Sequence, residues 1–377
     1  MRRAPRGFAL ILVMLVIIAL TAIVAGFAIS MKTEMTLARN ADYDDELEWM
    51  GRSGIELARY ELANKCAEMR NIDALNQPWA GGHSPCSNDV DQVPMEGDLG
   101  RGHFAISIKD MERKWDINLV ANSRGPQTDI LQKALEEVGV TDADKASTIA
   151  DSILDWVSPT SEPRFNGAKD DYYLSLTPPY TCKDGPIDDI SELLLVKGVT
   201  PEIFWGSFST NHPESSYHQS GGSTTETRAN GFRNDHPDIY PIGLSDLFSP
   251  MGGKLNVNTA DRKTLMLIPG MDENTVDQVL RQRAGPDGQD GTEDDAPFEN
   301  PAQIMGGLGG MGGNIQGGPQ AGTAAGGLAA YVDVRSYVFE VKVQTEINGY
   351  KRTFDGIISR SGPSGGQIKC VRFYWEN

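Results

Sequence analysis

The first seven residues, Met1-Arg-Arg-Ala-Pro-Arg-Gly7, carry three arginines and run directly into an uncharged stretch from Phe8 to Ser30. A helix needs roughly 20 apolar residues to cross a bilayer, so this stretch is long enough to span one. A secretory signal is cut after its apolar segment, which is typically about 7–15 residues long. Here the run is longer, and no A-x-A site closes it near Ala25 or Ala28. A cut between Gly7 and Phe8 lies before the run and leaves the apolar helix on the mature chain. An uncut signal anchor places the chain in the same way. In both cases Arg2, Arg3 and Arg6 stay in the cytoplasm by the positive-inside rule, and the bulk of the chain is exported. Residues 1–7 therefore read as a leader and 8–30 as a transmembrane helix.

The helical pattern continues past the membrane segment. Leu47, Met50, Gly54, Ala58 and Leu62 recur at steps of three and four, the signature of one buried face, and no proline interrupts Phe8 to Gln77. The spacing predicts one continuous helix to about Asn71, its outer half lying on another element. Asp42, Asp44, Asp45, Glu46 and Glu48 form an acidic patch near its middle, either a solvated face or a contact for a basic partner.

Pro78 to Gly102 is rich in Gly, Pro, Asn and Asp and reads as loop. His103–Lys109 alternates and predicts a strand. Far downstream, Val332–Ile347 is β-rich, Asn348-Gly349 is a two-residue hairpin signal, Lys351–Ser359 supplies the returning strand, and Ile368–Trp375 a last one. These parts, 31–113 and 328–377, make one long helix covered by a small antiparallel sheet.

The intervening 114–327 reads as an inserted all-α domain. Asp129–Val138 and Asp142–Val157 are predicted helices. Two half-patterns recur. Ile117-Asn-Leu-Val-Ala-Asn122 resembles Leu255-Asn-Val-Asn-Thr-Ala260, and Leu194-Leu-Val-Lys-Gly-Val-Thr200 resembles Met266-Leu-Ile-Pro-Gly-Met-Asp272. Each second half is a helix end, a glycine suited to a left-handed cap, and a new helix. The polar stretch 211–240 and the glycine-rich 305–327 read as loop and flexible return linker.

Leu255–Arg283 has the form of a helix-hairpin-helix, a unit that elsewhere binds phosphate through hairpin amides and nearby cations. Here Asp272 and Glu273 follow the hairpin. Carboxylates there repel phosphate and suit the start of a helix. With a net charge of −18, moving to about −21 once the leader arginines are removed, the whole chain is also a poor nucleic-acid binder, because that affinity comes from Lys and Arg neutralising phosphates.

Such acidity suits divalent cations with oxygen ligands. Asp287, Asp290, Glu293, Asp294 and Asp295 alternate with Gly288 and Gly291 and make a candidate calcium loop, though the full EF-hand spacing is absent; the alternative is a solvated acidic loop. A second candidate set is Asp155, Asp170 and Asp171. Four cysteines, Cys66, Cys86, Cys182 and Cys370, fit an oxidising compartment and allow three pairings. Cys66 with Cys86 is the pair that closeness in sequence favours, with buried free thiols as the alternative. No Cys-x-x-Cys or phosphate loop occurs, and the five histidines lack metal-ligand spacing, so enzyme readings find little support.

A basic leader, Gly7 and then Phe8 resembles a type IV prepilin leader. That family places a glutamate at the fifth mature position, which here is Leu12. With Asp155-Trp156, the segments 191–201 and 255–260, and Ser336–Val341 with the strands to Arg360, the chain resembles the K-type minor pseudopilins of type II secretion systems. Ser158 and Thr160 stand where related sequences tend to carry acids. The resemblance implies an α+β, pilin-like fold with the inserted all-α domain. It implies cleavage between Gly7 and Phe8 by the prepilin peptidase and N-methylation of Phe8. It also implies residence in the inner membrane with a periplasmic bulk, partners of the I and J types on the inner-membrane secretion platform, and a non-enzymatic role at the tip of a pseudopilus. A minor pilin of a type IV pilus or competence machine is the alternative.

Overall fold

In the computed structural model the described residues are 6–63, 71–82, 94–122, 128–206, 240–304, 330–361 and 367–376. Helix α1 runs from Arg6 to Ala63 without a break. Residues 64–70 lie outside the described residues, and Asn71 lies in a turn. Its outer half packs on a five-stranded antiparallel sheet built from β1 (Glu96–Leu99), β2 (Gly102–Asp110), β7 (Val338–Ile347), β8 (Tyr350–Ser361) and β9 (Gln367–Glu376), in the order β1-β2-β7-β8-β9. The β7–β8 turn is Asn348-Gly349, both at positive φ (50° and 83°), as a tight right-twisting hairpin requires. Strand β1 lies inside the predicted 78–102 loop. Glu-Gly-Asp-Leu has no apolar alternation to announce it, and its pairing with Gly102–Ala105 is what makes it a strand.

The predicted stripe Leu47, Met50, Ala58 and Leu62 is buried against Phe104, Phe339, Val341, Val343 and Phe354 of the sheet. Each large side chain buried there contributes about 1.5–3 kcal/mol. Gly51 and Gly54 let helix and sheet approach closely. A Cβ on Gly51 would lie 2.5 Å from the Phe354 ring, and one on Gly54 would lie 2.6 Å from Val343.

The inserted part has its own core. Helices α3 (Thr128–Val138) and α4 (Ala143–Val157) supply Ile130, Leu131, Leu135, Ile149 and Ile153, all fully buried. Asp142 caps α4, accepting from the amides of Asp144 and Lys145. Short helices α2 (Ile117–Asn122), α5 (Asp170–Tyr173), α6 (Pro201–Trp205) and α7 (Leu244–Leu247) complete this side, and α8 (Arg262–Met266) and α9 (Glu273–Arg283) form the hairpin. Asp272 caps α9 by accepting from the Thr275 amide, and Gly270 takes the left-handed φ of +84°. The domain is not purely helical. Two-residue strands β3 (Trp115–Asp116) and β4 (Phe248–Ser249) pair in parallel, as do β5 (Leu255–Asn256) and β6 (Val332–Asp333).

The register of the first half-pattern also differs from the sequence reading. Ile117–Asn122 is helical, whereas Leu255–Asn256 is strand. Equivalent chemistry appears two residues away. Asn118 accepts from the Ile187 amide and donates to its carbonyl (2.7 and 2.9 Å), and Asn258 does the same with Phe298 (2.8 and 2.9 Å).

The chain leaves the sheet after β2 and returns before β7, and a buried polar knot ties the two crossings. Arg360 pairs with Asp73 (3.1 Å), at 3% and 0% side-chain exposure. Asp73 also accepts from the Ser336 amide. One oxygen of Asp110 accepts from Thr259, Ser336 and Asn256 at 2.5, 2.5 and 3.2 Å. Removing one partner of a buried pair leaves the other charge uncompensated, at about 3–5 kcal/mol. Arg360→Met is expected to lower stability by about that amount, read from the denaturant midpoint of the chain in detergent, while Lys351→Met on the exposed hairpin moves it by less than about 1 kcal/mol.

Candidate membrane anchor and subunit interface

The inner half of α1 has no protein around it. Leu10, Leu12, Ile23, Phe27 and Ile29 are between 53% and 69% exposed, spread around the whole helix. Among the described residues this is the one helix long and apolar enough to cross a membrane. A helix can do so because its backbone bonds are internal. The hydroxyl of Thr21 donates to the carbonyls of Ile17 and Ile18 (3.0 and 2.9 Å), so the polar groups of this turn are satisfied within the helix. Gly7 and Phe8 lie in its first turns, and position 12, where a carboxylate would be costly without a partner, is leucine.

Beyond the membrane segment, α1 has one side on the sheet and one side open. Most of the acidic patch serves the protein's own fold. Asp44 accepts from Tyr350 and from Arg352 (2.9 and 3.0 Å), Glu46 pairs with Arg101, and Glu48 pairs with Arg52 (2.8 Å). The Arg352 guanidinium and the Tyr350 hydroxyl hold the Asp44 carboxyl below the usual carboxylate range against the opposing effect of burial. Asp42 and Asp45 remain exposed.

The open side carries Trp49, 71% exposed, and Tyr60, 53% exposed. Eleven residues separate them, about three turns, so they project from the same side. Beside them runs β9, the free edge of the sheet, with Val371, Tyr374 and Trp375 exposed and Arg52 lying 5.0 Å over the Phe373 ring. Exposed aromatics set among charged residues on an open helix side, next to a free sheet edge, make this a candidate protein interface. Sequence reasoning passed over this surface. Its signal was two large aromatics placed off the buried stripe.

The candidate ion ligands are scattered. Asp290 is held on both oxygens by Arg283 (2.8 and 2.6 Å), whose other nitrogen donates to the carbonyls of Val257 and Ala260. Asp287 accepts from the Gln289 amide, Asp294 from the Asp287 amide and Thr292, and Asp295 from the Gly291 amide. Glu293 is exposed. Asp155 is fully buried, receiving the Arg164 amide and guanidinium (2.9 and 2.7 Å). Asp170 accepts from the Cys182 amide, and Asp171 lies on the surface. Among the described residues no group of three His, Cys, Asp or Glu side chains is placed to hold a metal ion. An ion that took Asp290 as a ligand would have to displace Arg283. Cys182 is a buried free thiol and Cys370 an exposed one. Cys66 and Cys86 lie outside the described residues.

Helix, sheet and inserted domain together define a pilin-like fold with a large α-rich insertion, whose N-terminal helix is long and apolar enough to serve as a membrane anchor. Residues 114–205 match the family model for protein K of the type II secretion system (T2SS). The chain is 26% identical over 214 residues to a type II secretion system protein K of Klebsiella pneumoniae, covering 54% of this chain and 61% of that protein. It is also 26% identical to one of Pseudomonas aeruginosa, covering 52% and 59%. The matches thus span about three-fifths of the length of these curated relatives. In fold it is similar to a chain in the crystal structure of the GspK–GspI–GspJ complex from the enterotoxigenic Escherichia coli type 2 secretion system, with a TM-score of 0.60, 18% identity, and coverage of 90% of this chain and 99% of that one. The resemblance to the protein K family read from the motifs therefore holds, and it extends to the fold.

Proposed function

We propose that the chain is a minor pseudopilin that starts a periplasmic pseudopilus and stays at its tip, as an assembly subunit and not an enzyme. The observation that carries this reading is the open side of α1. Exposed apolar residues line it from Leu10 to Ile29, and Trp49 and Tyr60 continue it beyond the membrane. In water such a surface is unfavourable, whereas lipid covers the inner part and neighbouring helices can cover the outer part. Partners of the I and J types, suggested by the complex in which the similar fold was solved, would lie along this side and along β9. The inserted domain is far broader than a helix and would close the top of the stack. Leu12 agrees with that place. A tip subunit has no neighbour above it to offer an amine, so a carboxylate in the membrane would be unpaired and costly.

Co-purification of the full chain in detergent with candidate I- and J-type partners tests this directly. Wild type is expected to recover both partners. Trp49→Asp combined with Tyr60→Asp is expected to lower recovery at least tenfold while leaving the melting temperature unchanged, because neither side chain is in a core. Undiminished recovery would overturn the interface.

Orientation and processing belong to the same proposal. The arginines hold the N-terminus in the cytoplasm, and the prepilin peptidase cuts between Gly7 and Phe8 and methylates the new amine. Intact mass from membranes is expected to match a chain beginning at Phe8 and carrying one methyl group; a mass that includes Met1–Gly7 would reject processing. Calcium on the 287–295 loop stays a proposal from composition alone. Titration calorimetry decides it: binding would appear as heat and a raised melting temperature that Arg283→Met enhances by freeing Asp290, and an absence of both removes calcium from the account.

A further inference from the structure

Glu112 lies in the short 3-10 turn Met111–Arg113 that follows β2, where the chain first leaves the sheet. Its side chain reaches across to the point of return. One carboxyl oxygen accepts from the Tyr337 amide at 2.9 Å. The other is buried and has no hydrogen-bond partner, and the whole residue is 1% exposed. Gly252 and Gly253, from the segment joining β4 to β5, lie over it. A Cβ on Gly253 would sit 2.9 Å from the unpartnered oxygen, and one on Gly252 would sit 3.2 Å from the Glu112 Cγ. Glu112 is thus clamped between both chain crossings and a strand connection of the inserted domain.

The charges around it are unfavourable to a carboxylate. Asp110 precedes it on β2, Asp73 approaches from the 71–82 segment, and Asp333 approaches from β6. Asp116 lies under Gly252 and accepts from its amide. Two nearby cations are engaged elsewhere: Arg360 holds Asp73, and Arg113, in the same turn, holds Asp261 at 2.6 Å. A buried carboxylate with one empty oxygen and acidic neighbours is far more costly than the neutral carboxylic acid.

We propose that Glu112 is a proton-operated latch: protonated, it locks the inserted domain to the pilin-like sheet at both chain crossings, and ionised, it frees the two units to move against each other. The titration agrees with the geometry. Burial, and then the Asp110 charge, push the Glu112 carboxyl up to about 9, and burial pushes Asp110 up to about 6. A carboxyl whose folded value is raised contributes stability that is complete below its ordinary range and is lost as pH rises through the folded value. For Glu112 that loss runs from about 4.5 to about 9. A domain exported as proposed above would meet the external pH, but the latch does not depend on that placement.

Hydrogen exchange on the purified full chain in detergent tests it between pH 6 and pH 9, corrected for intrinsic exchange. In wild type, corrected exchange over 110–116, 250–254 and 334–338 is expected to rise at least fivefold across this range while α3 and α4 stay protected. Glu112→Gln, neutral at every pH, is expected to abolish the rise. A flat wild-type profile, or an equal rise in the variant, would overturn the latch. Should Glu112→Gln fail to fold, the wild-type denaturant midpoint decides: it is expected to fall from pH 6 to pH 9, and a constant midpoint rejects the proposal.

Discussion

The buried pair of Arg360 with Asp73 holds the molecule together as one object. Asp73 lies between Ile72, which belongs to the core of the inserted domain, and Trp79, which packs edge-on against Phe339 in the core of the sheet. Arg360 closes β8 and lies over the same Phe339 ring. Beside them Asp110, at the end of β2, gathers Asn256 and Thr259 from one segment and Ser336 from another, both far from it in sequence. Isolated buried charges are costly, and a satisfied network in a low dielectric is geometrically specific. Two apolar cores could slide against each other. This knot gives them one relative position.

From that junction the two units divide the work. The sheet covers one side of α1, with Gly51 and Gly54 setting the close approach, and leaves the opposite side apolar and open. The inserted domain turns its own apolar residues inward. Its acids serve as helix caps and as partners for Arg164, Arg262 and Arg283.

Much of this was legible in the sequence. The buried stripe of α1, the hairpin at Asn348-Gly349, the strands on either side of it, and helices α3 and α4 follow from local periodicity and turn chemistry, which are encoded within a few residues. Strand β1 was not legible, because its identity comes from a partner strand and not from its own residues. The matching clamps of Asn118 and Asn258 were not legible, because side-chain clamps on distant backbone leave no periodic trace. The acidic loop illustrates the same limit. Composition announced Asp287–Asp295 as oxygen-rich, but the fold commits Asp290 to Arg283, a partner whose approach only the folded α9 creates.

By itself the sequence determined the apolar helix, the length of the helix face that must be covered, and the division into a sheet-forming frame and an insertion. These depend on hydropathy, charge and turn residues, whose physical effects are local. Only the tertiary structure decided which side of α1 stays open, which carboxylates are engaged, and that Glu112, Asp110 and Asp73 meet in one buried place. Burial and electrostatic interaction depend on distance in space, and residues separated by 225 or 287 positions come within reach of one another only when the chain has folded.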